Sequence, residues 1–454
     1  MWLCDQVATN SLSDSQRVSF VSLGCPKALV DSEHIVAGLV DRGYDVVAGD
    51  DDAEVVVINT CGFIDAAKAE SFETIERAMA AGKEVVVTGC MGGKDSELKD
   101  RYPDLKHISG PAQVAPVMEA VQTYLPPGSA AAELSPQEAR VRLTPEHYAY
   151  LKISEGCNHD CSFCIIPQMR GRLRSRGIAE VVDEAEQLVA DGAKELLVIA
   201  QDLSAYGVDL KYQAQSVHGN MVETRLDELC VLLGDIAPWV RLHYVYPYPN
   251  VDKLIPLMAQ GKILPYLDLP LQHASPRILK AMRRPAAAEK ALERIQRWRE
   301  VCPEIAIRST FIVGFPGETD EDVGVLLDFL EAAQLDRAGC FTYSAVEGAP
   351  ANRLIDHVDE ADKLDRQERV YETQSQISAA RLDRLVGQRL RVLVDEAGPQ
   401  PVARSAGDAP EIDGVVHRQP STELRVGEFA WVEIQNHDDH DLYGIYVGRG
   451  LELS

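Results

Sequence analysis

Short apolar runs rich in Val and Ile recur through the first 385 residues, and stretches of helical period separate them. A strand that passes through a helix to a parallel neighbour does so by a right-handed crossover. This alternation therefore predicts parallel α/β sheets. In the first block RVSFVSLG, AEVVVINT and KEVVVTG read as strands, with helices over 31–42, 65–81 and 114–124. In the second block strands read at AYLKIS, 195–200, 241–246, 266–270, 306–314 and 338–344, with helices such as 178–192 and 321–333 between them. Six such repeats predict a partial (β/α)6 barrel, with chemistry at the C-terminal ends of the strands.

Residues 125–147 are rich in Pro, Ala and Ser without a period and read as a linker. Beyond Val386, LRVLVDE, IDGVVH, EFAWVEIQN and DLYGIYVG alternate with turn residues, the pattern of a small antiparallel β-barrel. The expected domains are 17–124, 148–385 and 386–454, with 125–147 between the first two. No apolar run reaches membrane-spanning length, and the first residues lack the basic-then-apolar pattern of a secretory signal. A cytoplasmic protein without a membrane partner is the expectation. With 45 Lys and Arg against 71 Asp and Glu, the net charge is −26. That balance disfavours nucleic acid and suits a basic protein partner.

Cytoplasmic thiols stay reduced, so ten cysteines are not expected to be disulfide staples. Cys157, Cys161 and Cys164 form C-x3-C-x2-C directly after the first strand of the second block. Three thiolates hold three irons of a [4Fe–4S] cluster and leave the fourth iron open. Zinc is the competing reading, since His159 stands inside the motif. The apolar Ile-Ile-Pro that follows favours a buried cluster. Cys25, Cys61 and Cys90 each stand just past a predicted strand of the first block. A parallel sheet brings such strand ends to one edge, where ligands bind, so these three are candidates for a second [4Fe–4S] cluster. The alternative is three separate cysteines packing as small hydrophobes. Cys4, Cys230, Cys302 and Cys340 have no partner spacing and are expected to pack or to have no role.

EGCNHDCSFCIIP, placed after a barrel strand, resembles the radical S-adenosylmethionine (SAM) superfamily. The resemblance implies that SAM chelates the open iron and is cleaved to a 5′-deoxyadenosyl radical by an electron from the cluster. Phe163 resembles the aromatic beside that cluster, and its plain alternative is packing. GFPGE, with Gly314, Gly317 and Glu318, resembles a loop that lines the SAM adenosine, and its plain alternative is a tight strand–helix turn.

Nearly the whole chain resembles the methylthiotransferases, which join a three-cysteine domain, a radical SAM core and a TRAM barrel. SLGCPKALVDSE, INTCGFIDAAK, QDLSAYG, RLHYVYPYP, PYLDLPLQHASPRILKAMRRP and RSTFIVGFPGETDED resemble the RimO family among them. That resemblance implies methylthiolation of an aspartate β-carbon in small-subunit ribosomal protein twelve, with an electron donor as a further partner. In that scheme the Cys25/Cys61/Cys90 cluster carries the sulfur, and SAM serves both as methyl donor and as radical source. A tRNA adenosine methylthiotransferase is the first alternative, and an iron–sulfur carrier without catalysis is the second. From Val386 onward the chain has six Arg, no Lys and twelve Asp or Glu, a balance of −6 that argues against RNA. Glu411, Asp413, Glu428 and Glu433 are first candidates to face a basic partner, and the segment reads as removable without loss of SAM cleavage.

Overall fold

The computed structural model describes residues 16–47, 53–127, 140–284, 290–418 and 424–449. Cys4 and much of the expected linker lie outside them. Among the described residues, β1 (Arg17–Ser22), β2 (Asp45–Val47), β3 (Val55–Thr60), β4 (Glu84–Gly89) and β5 (His107–Ile108) form one parallel sheet in the order β2-β1-β3-β4-β5. The Val-Val-Val-Ile run of β3 is apolar at every position because helices cover both faces. Val55 and Val57 pack with Ile35 and Leu39 of α1 (Pro26–Asp41) and with Val117 and Val121 of the helix Val114–Tyr124. Val56 and Ile58 pack with Phe72 and Ile75 of α2 (Asp65–Ala80) and with Leu98 of α3 (Asp95–Arg101). The short β2 and β5 and the helix α3 are additions to the expected pattern.

One boundary moves in a way that matters. The helix expected from Asp31 starts at Pro26, with Cys25 as its N-cap residue. Proline suits the first helical position, where its fixed φ fits and its missing N–H is not needed.

The second block begins with β6 (Tyr148–Lys152), which runs into a two-stranded ladder of β7 (Ser154–Glu155) and β8 (Arg174–Ser175). Then come β9 (Glu195–Ile199), an unexpected hairpin of β10 (Ala214–Val217) and β11 (Asn220–Glu223), β12 (Trp239–Leu242), β13 (Tyr266–Gln272), β14 (Ala306–Val313) and β15 (Arg337–Thr342). The six long strands form a parallel sheet in the order β15-β14-β13-β12-β9-β6, which is the expected partial barrel. The face of this sheet that packs on the helices is apolar, and that core takes in Cys230, Cys302 and Cys340, which pack as expected. The strand expected over 241–246 ends at Leu242, and beyond it Tyr244 takes a φ of +62°. That is rare for an aromatic residue and marks a strained strand end.

The last strands, β16 (Arg389–Glu396), β17 (Val402–Ser405), β18 (Val416–Arg418), β19 (Phe429–His437) and β20 (Leu442–Arg449), close a barrel in the order β16-β17-β18-β20-β19. Four of its contacts are antiparallel, whereas β18 and β20 pair in parallel. Five strands cannot close a ring with every neighbour reversed, so one parallel seam is unavoidable. This barrel seats against the N-terminal ends of the central strands. Trp239, Tyr266 and Ala306 pack with Leu393 and Ala409 there. Fully buried Glu195 receives Arg241 at 2.7 Å and Arg404 at 2.6 Å. The thiols lie at the opposite ends of those strands. Among the described residues no helix is long and apolar enough to cross a membrane.

Two thiol triads and the charged seam between them

Cys25 follows β1, Cys61 follows β3 and Cys90 follows β4, and these three strands are neighbours in the sheet. Adjacent strands lie about 4.8 Å apart, so their ends bring three side chains to one edge. The turn into Cys25 needs Gly24, whose φ is +104°. A Cβ at Gly24 would stand 3.0 Å from the Cys61 Cβ and 3.3 Å from its sulfur. The Cys90 amide donates to the Thr60 carbonyl, and the Cys61 amide to the Ser71 hydroxyl. The thiols are close enough for each one's charge to act on the next.

Their acidities differ for visible reasons. Burial would push the Cys25 thiol up, but Lys27, Arg170 and the amides of Ala28 and Lys27 bring it below its usual value. A thiol at a helix N-terminus beside cations ionises readily. Burial raises Cys61, and it pushes Cys90 up to about 11.

The other triad sits in the loop after β7. The Cys157 sulfur receives the His159 amide and the Cys164 sulfur the Ile166 amide, while Arg284 points Nη1 at the Cys161 sulfur. Burial pushes Cys157 up to about 11 and Cys164 up to about 12. These thiols also feel one another's charge. A cavity of about 350 Å³ opens beside Cys157, lined by Asn158, Asp202, Tyr248 and Asn250. His159, the residue that kept zinc in play, has its ring committed elsewhere. It stacks on Tyr246 at 4.3 Å between centroids, with Nε2 2.8 Å from an Asp202 oxygen. Among the described residues no group of three His, Cys, Asp or Glu side chains is gathered tightly enough for a single metal ion. The thiol chemistry suits a polynuclear iron–sulfur group, whose separate irons take one thiolate each.

A five-residue helix, α4 (Val114–Tyr124) being the last before it, links the two triads. This helix, α5 (Ile166–Arg170), begins two residues after Cys164 and rises about 7 Å. Ile165 and Met169 pack against Cys90, and the Arg170 Nε lies 3.3 Å from the Cys90 sulfur. The guanidinium also reaches Glu155 at 3.0 Å and Asp31 at 3.3 Å. Lys152 bonds to the same two carboxylates, and Gln201 donates to Glu155 at 2.8 Å. Burial would raise the Glu155 carboxyl, but Lys152 and Arg170 hold it well below the usual range. Neither Lys27 nor this quartet is visible as a site in the sequence. The available signal is a charge inside the otherwise apolar stretches CPKALV and CIIPQMRG.

The remaining sequence candidates are Phe163, Gly314, Gly317 and Glu318. Phe163 packs against a cluster that includes Ile278, Met282, Phe315 and Tyr343. Gly314 and Gly317 have φ of +71° and +81°. The open face of Gly314 is taken up by Lys363, whose Cγ would be 2.2 Å from a Cβ there. Glu318 turns inward, accepting from the Gly314 amide at 2.8 Å and from Arg366 at 3.0 Å. Its other oxygen faces the His273 Nε2 at 3.3 Å, and neither atom has a hydrogen-bond partner. The helix that follows is capped instead by Thr319 and Asp322.

Residues 151–330 match the radical SAM superfamily, residues 17–110 match the uncharacterized protein family UPF0004, and residues 386–447 match the TRAM domain. In fold, the chain is similar to the radical S-adenosylmethionine methyltransferase TsrM from Kitasatospora setae, solved with cobalamin and a [4Fe–4S] cluster. The TM-score is 0.51 at 14% identity, over 91% of this chain and 84% of that one. The ribosomal protein uS12 methylthiotransferase RimO of Saccharophagus degradans is 57% identical over 97% of this chain and 93% of its own length. That of Pseudomonas aeruginosa is 58% identical over 95% of this chain and 99% of its own. The chain belongs to the RimO family of radical SAM methylthiotransferases.

Proposed function

We propose that this enzyme is a transferase that places a methylthio group on the β-carbon of an aspartate in ribosomal protein uS12. The observation that carries the reading is the pair of thiol triads, each at the C-terminal edge of a parallel sheet and tied together through α5. In this reading Cys157, Cys161 and Cys164 hold the [4Fe–4S] cluster that binds SAM, and Cys25, Cys61 and Cys90 hold a second one. Bound cluster and SAM supply radical chemistry at a C–H bond that has too little acidity for a side-chain base.

The chain's own groups prepare that chemistry. The amides of His159 and Ile166 donate to the sulfurs of Cys157 and Cys164 and favour their thiolate forms. Lys27 and Arg170 do the same at Cys25. Met169 and Ile165 pack on Cys90 and shield that side of the seam from water. Phe163, Gly314, Gly317 and Glu318 are proposed to border the SAM side of the barrel mouth. The enzyme is placed in the cytoplasm with an electron donor, where thiols stay reduced.

The test is anaerobic incubation with SAM and a reductant, offering uS12 or tRNA, followed by mass analysis of both. A methylthio group on a uS12 aspartate is expected. Modification of tRNA instead would overturn the substrate, and SAM left uncleaved would favour a non-catalytic carrier.

A further inference from the structure

Lys27 is a largely buried cation beside the Cys25 thiol and without a carboxylate partner. It is 8% exposed, and among the described residues its ammonium has no hydrogen bond or ion pair. Its Nζ stands over the Tyr244 ring, 3.1 Å from the centroid. A buried ammonium is costly unless a counter-charge meets it. The position adds to the cost, because Lys27 lies in the first turn of α1, where the helix dipole disfavours a cation. The neighbouring carboxylates do not relieve it. Arg170 and Lys152 are matched by Asp31 and Glu155, so that quartet closes on itself and leaves Lys27 outside.

The location says what kind of anion is missing. Lys27 follows Cys25 by two residues, whereas Tyr244 stands at the strained end of β12 in the central sheet. The Lys27–Tyr244 contact therefore spans the seam between the two sheets. A substrate side chain that reaches both triads lies near this seam, because Lys27 follows a ligand candidate of one triad and Tyr244 belongs to the sheet that carries the other. The aspartyl side chain carries its carboxylate directly on the β-carbon that is modified.

We propose that Lys27, held over the Tyr244 ring, binds the carboxylate of the substrate aspartate and so selects an acidic side chain over its amide. This inference rests on the functional reading above. A cation–π contact is compatible with the role, since the ring holds the ammonium in place without neutralising it.

The experiment uses iron-loaded enzyme with SAM and no reductant, so that nothing turns over. Fluorescence anisotropy measures the affinity for a labelled uS12 segment bearing the target aspartate and for the same segment with asparagine. Wild type is expected to prefer aspartate at least about tenfold, because truncating one partner of a buried charge pair costs that much or more. Lys27→Met is expected to bring the ratio to about one, and Lys27→Arg to keep part of the preference. An unchanged preference in Lys27→Met would overturn the assignment. So would an iron deficit in Lys27→Met like that of Cys25→Ala, which would make Lys27 a counter-ion for the thiolates. A wild-type enzyme that binds neither segment nor whole uS12 would instead count against the functional reading itself.

Discussion

Replacing Arg170 by Met keeps an unbranched stem in the seam and removes its charge. In the parent, two cations meet two carboxylates, with side chains 2% exposed at Arg170, 4% at Asp31 and 10% at both Lys152 and Glu155. The substitution leaves Lys152 alone with Asp31 and Glu155. Breaking a buried ion pair costs about 3–5 kcal/mol. Since Lys152 still touches both carboxylates, the lower end, about 3 kcal/mol, is expected. Glu155→Gln alone leaves two cations on Asp31 and should cost a similar amount. Together the two changes restore neutrality, so their combined cost should fall short of the sum by about 2 kcal/mol. Urea unfolding of parent, single and double variants under anaerobic conditions measures this. Costs that add to within about 0.5 kcal/mol would refute the quartet as a coupled unit. The Glu155 carboxyl also fixes a pH signature. Its folded pKa lies below the ordinary value of 4.5, so its contribution is present above that pH and is lost as pH falls. Glu155→Gln should lose less stability there than the parent does.

Anaerobically reconstituted enzyme should carry two [4Fe–4S] clusters, and replacing Cys157, Cys161 and Cys164 by Ala should halve the iron; zinc in place of iron would count against the reading. The same variant should lose SAM cleavage, whereas replacing Cys25, Cys61 and Cys90 should spare some cleavage and abolish methylthio transfer. The reverse pattern would exchange the roles of the triads. Burial and then Arg140 lower the His34 pKa to about 4 from 6.5, so stability should be full above about pH 6.5 and fall by about 3 kcal/mol toward pH 4. His34→Gln should flatten that slope in urea titrations across this range, and an unchanged slope would show that His34 is not its source.

Much of this site is legible in the chain because the first sheet is covered by helices on two faces. Its central strands read as apolar runs, and a cysteine just past such a run stands at the ligand-binding edge. The start of α1 is less legible, because CPKALV has no capping box; the proline after Cys25 is the signal that marks it. The helix Glu360–Asp383 hides its period, since its inward face includes Arg366, Gln374 and Ser378 among Val370, Ile377 and Leu382. The seam is illegible for another reason. Lys152 meets Asp31 across 121 residues and Arg170 meets it across 139, so no local pattern announces them.

The acidic balance of the last barrel shows how a sequence total differs from a surface. Asp395, Asp408 and Asp413 turn inward to His147 and Arg404, to Arg337, and to Arg308. Of the four acids that the sequence offers to a partner, Asp413 has a fully buried side chain and Glu411 accepts the Tyr148 hydroxyl. Glu428 and Glu433 remain on the barrel itself, although Glu433 also pairs with Arg389. Removing the chain from Val386 onward is therefore not a clean cut. It would take Asp413 from Arg308, which keeps Asp268, take Asp408 from Arg337 and Arg404 from Glu195, and bare Trp239 and Tyr266. The truncated enzyme should unfold more easily, and its loss of binding would not isolate a partner contact. The sharper perturbation is Glu428→Gln with Glu433→Gln. Stability should stay within about 0.5 kcal/mol per site, as for surface changes, while the salt dependence of uS12 binding becomes shallower. An unchanged salt dependence would remove these two acids from the partner's path. A truncation that unfolds at the parent's midpoint would show that the buried charges between the two barrels contribute little.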